Sequence, residues 1–292
     1  MERQMESGAN SSKRMHVAIL MATYNGIRYI KEQIESLLNQ SYGDWTLYIH
    51  DDGSTDGTQA VIQDYANQHE NIKILILGHS GGAKNNFLDM LQTVDAEYYM
   101  FCDQDDVWLP EKIEVSIEHM RQCEAINPNR PIIVFSDLTV VDQSLNVIQD
   151  SFMEMSCIYP AYINTFDEMA ALSITTGCTM LMNRKVKEGI PCWKHADILM
   201  HDSWLTLCTV KNGGKLCFVD KQLTLYRQHH DNTIGAKDSK RLTLSYRIRH
   251  ILEIWRSNQD YYRMLKLLSY GSLPKFYWNK LKYKYRVKKE KR

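Results

Sequence analysis

The densest chemistry in this chain lies at Asp103-Gln104-Asp105-Asp106, three carboxylates within four residues. They follow Tyr98-Tyr99-Met100-Phe101-Cys102, an apolar run that reads as a buried strand. They precede Trp108 and Pro110, a residue suited to starting a helix. Carboxylates crowded at the end of a strand repel one another unless a cation or a donor-rich ligand sits among them. A hard metal ion together with a diphosphate would satisfy such a set.

The elements that must position these acids are legible upstream. His16 to Ala22 is a continuous apolar run, as expected for a strand buried on both faces of a parallel sheet. Ile30, Ile34, Leu37 and Leu38 fall at helical spacing. Trp45 to His50 reads as a second strand, Thr58 to Asn67 as a helix, Ile72 to Leu77 as a third strand and Asn85 to Val94 as a helix. Regular alternation of this kind implies right-handed βαβ units and a mostly parallel sheet flanked by helices. Ligands of such sheets bind outside the carboxyl ends of the strands. Thr23/Asn25, Asp51/Asp52, the Gly81–Asn86 turn and Asp103/Asp105 all fall at those ends. Beyond Pro110 the reading gives a helix to about Glu124 and a strand from Pro131 to Ser136, after which the alternation breaks down. Ser173 to Met182 still reads as a strand, and Ser203 to Val210 as a helix.

With 292 residues, 44% hydrophobic and 24% charged, the chain is globular and long enough for one large α/β domain with an appendage, or for two domains. No run of about 18 apolar residues exists to span a membrane. Residues 1–14 lack the apolar segment of a secretory signal and read as a disordered polar leader. Seven scattered cysteines without a CxxC pattern argue for reduced thiols in a cytoplasmic protein. The charge is neutral in sum but unevenly placed. Residues 240–292 hold 16 Lys and Arg against 3 Asp and Glu, leaving an acidic body and a basic tail suited to an anionic surface.

The segments ILMATYNG (19–26), QIESLLNQSYGDW (33–45), IHDDGSTDGT (49–58), FCDQDDVWLPEK (101–112), TGCTMLMN (176–183), MHDSWL (200–205) and YRQHHDNTIG (226–235) occur in one order. Together they resemble the inverting family 2 glycosyltransferases of GT-A fold, closest to rhamnosyltransferase-like members that build bacterial polysaccharides. The resemblance covers about residues 15–236. It implies a GT-A domain over 15–239 and leaves 240–292 as a basic amphipathic helical tail.

The resemblance also implies roles. Asp105 would ligate Mg²⁺ or Mn²⁺ on the donor diphosphate, with Asp103 on the ribose or a metal-bound water and Gln104 between them. Asp52 would accept from the imide N–H of uracil or thymine, which discriminates against bases lacking that donor. Thr23, Tyr24 and Asn25 would line the nucleoside pocket, and Lys84 would reach the base or a phosphate. Arg227 and His229 would donate to phosphate oxygens, His229 alternatively ligating the metal. Asp202 would be the catalytic base that deprotonates the acceptor hydroxyl. Gly177, Cys178 and His201 would lie on the acceptor side, His201 steering Asp202. From the residues themselves, Asp106 suits a helix cap and Trp108 suits packing.

The expected function is metal-dependent, inverting transfer of a sugar from dTDP-rhamnose or a UDP-sugar to a growing cell-surface polysaccharide or a lipid-linked glycan. The tail, with Phe276, Tyr277, Trp278, Tyr283 and Tyr285 among Lys and Arg, would meet an anionic membrane at the inner face of the plasma membrane rather than nucleic acid. The alternative is a non-catalytic nucleotide-sugar-binding scaffold of a polysaccharide assembly complex. A phosphotransferase on the same sheet would need an Asp nucleophile with a nearby Lys, for which Lys84 is the candidate.

Overall fold

Strand β1 (Val17–Thr23) shows why an unbroken apolar run is needed at the centre of the sheet. Ala18 and Leu20 enter the core on one face; Val17, Ile19 and Met21 enter the core on the other. The computed structural model describes residues 15–163, 165–172, 174–229 and 250–290. The leader expected over residues 1–14, and residues 240–249 of the expected helical tail, lie outside them.

The first half alternates as expected: α1 (Ile30–Leu38), β2 (Trp45–Asp51), α2 (Thr58–Gln68), β3 (Ile72–Ile74), α3 (Ala83–Thr93) and β4 (Tyr98–Asp103). Strands β1 to β4 pair in parallel in the order β3-β2-β1-β4. In this register Thr23 lies opposite Asp51, and Ala22 opposite Asp103. Three polar strand ends therefore meet at one edge.

Then come β5 (Val107–Trp108), α4 (Lys112–Ile126), β6 (Ile132–Val141), β7 (Val147–Gln149), α5 (Phe152–Ser156), α6 (Phe166–Ala170), β8 (Met180–Asn183), α7 (Arg184–Glu188), α8 (His201–Lys211) and β9 (Lys215–Arg227). The sheet continues β4-β8-β6-β9-β5. Here β8 runs antiparallel to both neighbours, β6 and β9 are parallel, and β5 is antiparallel to β9. The strand read from Ser173 to Met182 is thus four residues long, and a 3₁₀ turn at Gly177–Thr179 precedes it.

Helices α1, α2 and α4 cover one face; α3 and α8 cover the other. The C-terminal residues fold as a hairpin of α9 (Ile251–Lys266) and α10 (Leu273–Glu290). Met264, Leu265, Leu268 and Phe276 join the same core as α3 and α8. Tyr283 Oη donates to the Cys157 carbonyl at 3.1 Å, and Arg286 forks onto Glu168 at 2.6 and 3.1 Å. One cysteine expectation is corrected: Cys123 on α4 is bonded to Cys217 on β9, so two of the seven thiols form a disulfide. Their separation of 94 residues hides this proximity from the sequence.

Candidate active site

The loop after β1 and the loop after β2 are locked together by short polar side chains. Thr23 Oγ1 donates to Asp51 at 2.9 Å. The Asn25 backbone N–H donates to Ser54 Oγ at 2.7 Å, and Asn25 Oδ1 accepts from the Thr55 N–H at 2.9 Å. Asn25 takes φ 47°, a left-handed conformation that Asn tolerates better than most residues. Tyr24 is left exposed, its backbone paired in both directions with the Gln104 amide at 3.0 Å. Gln104 is therefore a staple between the β1 loop and the acidic turn. Gly26 leaves room for it, since a Cβ there would meet Gln104 Oε1 at 2.2 Å.

Asp52 is buried and accepts from the backbone N–H groups of Ser80, Gly81 and Gly82 at 2.6, 3.1 and 3.0 Å. His79 Nδ1 adds a fourth partner at 2.9 Å. Burial pushes the carboxyl up, but these bonds outweigh it and hold its pKa below the ordinary value. A base N–H would have to replace one of the four, and His79, 74% exposed, is the displaceable one. Lys84, expected at the base or a phosphate, is engaged within the protein. Its Nζ donates to the Ile198 carbonyl at 2.7 Å, tying α3 to the segment that leads into α8.

The acidic turn is organised around a cation that sequence reasoning missed. Lys112 is fully buried, donates to the Cys178 carbonyl and, at 2.7 Å, to Thr224 Oγ1, and lies 3.7 Å over the Trp108 ring. Burial lowers its pKa to about 8, against the pull of Cys178, Cys102, Asp106 and Asp103. The available signal was periodicity: Lys112, Ser116 and Met120 form one stripe of α4, and all three are buried. Trp108 packs, as its type suggested. Asp106 does not cap a helix. Glu111 holds the N-cap position of α4, whereas Asp106 is fully buried and accepts from the Arg227 N–H at 3.2 Å. Burial, then the charges of Asp105 and Asp103, push its carboxyl well up.

Arg227 is likewise placed differently from expectation. Its guanidinium is taken up by the Asp105 and Gln143 carbonyls, both at 2.7 Å, and by Glu32, while its plane lies 4.7 Å from the Tyr29 ring. It is a buried clamp on the acidic turn. The His229 ring lies tilted against Tyr29 with centroids 4.8 Å apart, and its Nε2 sits 2.7 Å from Asp105 Oδ2.

The remaining expected residues converge from the other side. Asp202, in the first turn of α8, accepts from the Gly177 N–H at 3.1 Å and from the Ser203 N–H at 2.5 Å. It is near enough to Asp103 that burial and the charges of Asp105 and Asp202 push the Asp103 carboxyl up to about 7. Gly177 is needed for space: a Cβ would meet His201 Nε2 at 2.7 Å. His201 faces the core, not an acceptor. Its ring lies 4.4 Å from Phe87 and 4.7 Å from Phe101, neither ring nitrogen has a hydrogen-bond partner among the described residues, and burial lowers its pKa. Cys178 is buried beside Asp106, its thiol pushed well up by burial.

Among the described residues, one cluster of donor atoms is tight enough to hold a cation. Donor atoms of Asp103, Asp106 and Cys178 lie within 4.8 Å of one another. A protonated thiol is a poor partner for Mg²⁺ or Mn²⁺, which favour oxygen and accept imidazole less readily. The turn offers one further carboxylate, Asp105, whose Oδ2 is engaged by His229.

An open sheet with a turn of carboxylates at its strand ends, faced by one further carboxylate at a helix start, is the layout of a GT-A glycosyltransferase. The model of "Glycosyl transferase family 2" matches residues 18–190, and the chain belongs to that family. It is 29% identical over 231 residues to the dTDP-rhamnosyl transferase RfbG of Shigella flexneri, covering 75% of each chain. It is 32% identical over 104 residues to the UDP-Glc:alpha-D-GlcNAc-diphosphoundecaprenol beta-1,3-glucosyltransferase WfgD of Escherichia coli, a match over 36% of this chain and only 40% of WfgD. Among solved structures, S. aureus TarS 1-349 in complex with UDP-GlcNAc superposes with a TM-score of 0.58 at 17% identity, over 87% of this chain and 65% of that one. The mannosyltransferase PcManGT from Pyrobaculum calidifontis, in complex with GDP-Man and Mn²⁺, gives 0.59 at 16% identity, over 91% and 68%. These two likenesses establish the fold.

Proposed function

We propose that this glycosyltransferase moves a sugar, with inversion, from a dTDP- or UDP-sugar to a hydroxyl of a growing polysaccharide or lipid-linked glycan. The observation that carries the reading is that Asp202 accepts from the Gly177 N–H while the thiol of the next residue, Cys178, lies within 4.8 Å of the Asp103 and Asp106 carboxylates, which sets Asp202 beside the acidic turn. The likeness to RfbG favours dTDP-rhamnose as donor, and that to WfgD keeps a UDP-sugar in play.

Asp52 receives the base imide N–H once His79 swings aside, Thr23 and Asn25 shape the nucleoside pocket, and Asp103 lies toward the ribose. Asp105, Asp103 and His229 would hold Mg²⁺ or Mn²⁺, which offsets charge on the departing diphosphate. Asp202 takes the acceptor proton as the hydroxyl oxygen attacks the anomeric carbon. The bond from that carbon to the diphosphate oxygen breaks, and its electron pair leaves with the nucleotide. The Gly177 and Ser203 N–H groups fix the carboxylate in position for this transfer.

The proposed setting is the cytoplasm. The Cys123–Cys217 bond removes cysteine usage as a reason for it. No helix among the described residues is long and apolar enough to cross a membrane.

The test is Asp202→Asn with donor-binding and turnover measured separately. Transfer should vanish, while stabilisation by a UDP- or dTDP-sugar plus Mn²⁺ persists and is lost on adding EDTA. Turnover at the wild-type rate would overturn the base assignment. Donor stabilisation indifferent to EDTA would overturn the metal set.

A further inference from the structure

The basic tail is not a loose charged extension. Three of its cations are occupied by the body, Lys275 by Asp167 at 2.8 Å and Lys282 and Arg286 by Glu168 at 3.3 and 2.6 Å, and a fourth, Lys280, is bonded to Asn258 of α9. These contacts, with Phe276, Asn279 and Tyr283 buried, fix which way α10 faces. Trp278, Leu281 and Tyr285 are left outward, at 67%, 61% and 72% exposure. Their i, i+3, i+7 spacing makes them one stripe. Lys289 flanks it on one side, beyond the Glu168-bound Lys282, and Lys284 and Lys288 flank it on the other. The Lys280–Asn258 bond and the Tyr262–Phe276 ring contact run α9 antiparallel to α10, which brings residue 255 level with about residue 283. There α9 exposes Leu252, Ile254 and Trp255.

We infer that this outer face of the α9–α10 hairpin lies on an anionic lipid bilayer, with the Trp278–Leu281–Tyr285 stripe in the headgroup region and the flanking lysines on lipid phosphates. Two observations choose this occupant. The charge on α10 is one-sided, with six Lys and one Arg against the terminal Glu290, so the face complements an anionic surface. The apolar stripe is narrow and bordered by lysines whose stems reach outward, which suits a helix lying in the interface plane rather than one inserted across it. A duplex or single strand of nucleic acid would use the lysines but leave Leu281 and Leu252 unburied. The inference is independent of which sugar is transferred.

Flotation of the full chain with phosphatidylcholine vesicles, with and without 30 mol% phosphatidylglycerol, tests it (about one-third anionic lipid gives a surface of the kind that attracts polybasic segments). Binding is expected only with the anionic vesicles. Lys284→Glu/Lys288→Glu/Lys289→Glu should weaken it on the order of 100-fold or more, and Trp278→Ala/Leu281→Ala/Tyr285→Ala on the order of tenfold. All six positions are on the surface, so thermal melting should be unchanged. The inference falls if the wild type ignores anionic vesicles. It also falls if both triple variants bind like wild type, or if the stripe variant changes only self-association or nucleic-acid binding.

Discussion

Replacing Gly177 by Ala tests whether Asp202, the proposed base, is positioned by steric fit. The added Cβ would stand 2.7 Å from His201 Nε2 and 3.7 Å from Asp202 Cβ. His201 cannot retreat easily, because Phe87 and Phe101 hold its ring at 4.4 and 4.7 Å. Something must therefore move at the start of α8, and the Gly177–Asp202 bond of 3.1 Å is the weakest constraint there. Overpacking of this kind costs about 1–3 kcal/mol. A base displaced by ~1 Å loses on the order of 100-fold in rate. The expected result is kcat down about 100-fold, little change in donor affinity, and a melting temperature a few degrees lower, since ~1 kcal/mol moves a chain of this size by about 2–4 °C. Steady-state kinetics with a matched melting curve reads all three. The double variant Gly177→Ala/His201→Ala vacates the clash and should regain part of kcat, a coupling that independent sites would not show. Wild-type kcat in Gly177→Ala, or no regain in the double variant, would refute the reasoning.

Lys112→Met keeps the length of the side chain but removes the donor that grips the Cys178 carbonyl, one residue from the N–H that holds Asp202. Since Asp106 and Asp103 then lose a nearby buried positive charge, kcat should fall at least tenfold and the Mn²⁺ needed for half-maximal thermal stabilisation should change. Arg227→Lys should loosen the acidic turn, because Lys cannot serve Glu32 and the Asp105 and Gln143 carbonyls at once; the readout is a lower melting temperature without Mn²⁺. The pH dependence follows from Asp103. Its folded pKa, about 7, lies above the ordinary 3.8, so the folded apoprotein binds the extra proton and its stability falls as pH rises from about 4 through 7. Stabilisation by Mn²⁺ should grow over the same interval, because the cation competes with that proton. Melting temperatures between pH 5 and 8, with Mn²⁺ or EDTA, check both slopes.

Much of the donor half was legible because its signals are local. Apolar runs of one to two turns or strands, each ending in Asp, Asn or Gly, place Thr23, Asp52 and Asp103 at strand ends, and the parallel register of β1, β2 and β4 then aligns them. The order of the motifs added Asp202, about a hundred residues away. What local pattern could not supply is the partner of each side chain. Arg227 and Lys84 look like phosphate donors in a loop sequence, yet one is spent on Glu32 and two carbonyls and the other on Ile198. His201 looks like a site residue beside Asp202, yet the helix turns it into a pocket of Phe87 and Phe101.

Composition and periodicity therefore determined the class of fold and the sheet edge where polar strand ends gather, and the resemblance carried by the ordered motifs named the acids of the proposed site. Only the tertiary structure decided which cation lies beneath those acids, which cysteines bond across 94 residues, and which face of the basic tail is turned outward. The physical reason is range. Strand and helix formation depend on neighbours a few residues apart, whereas a buried charge is stabilised by whatever the fold brings against it from anywhere in the chain.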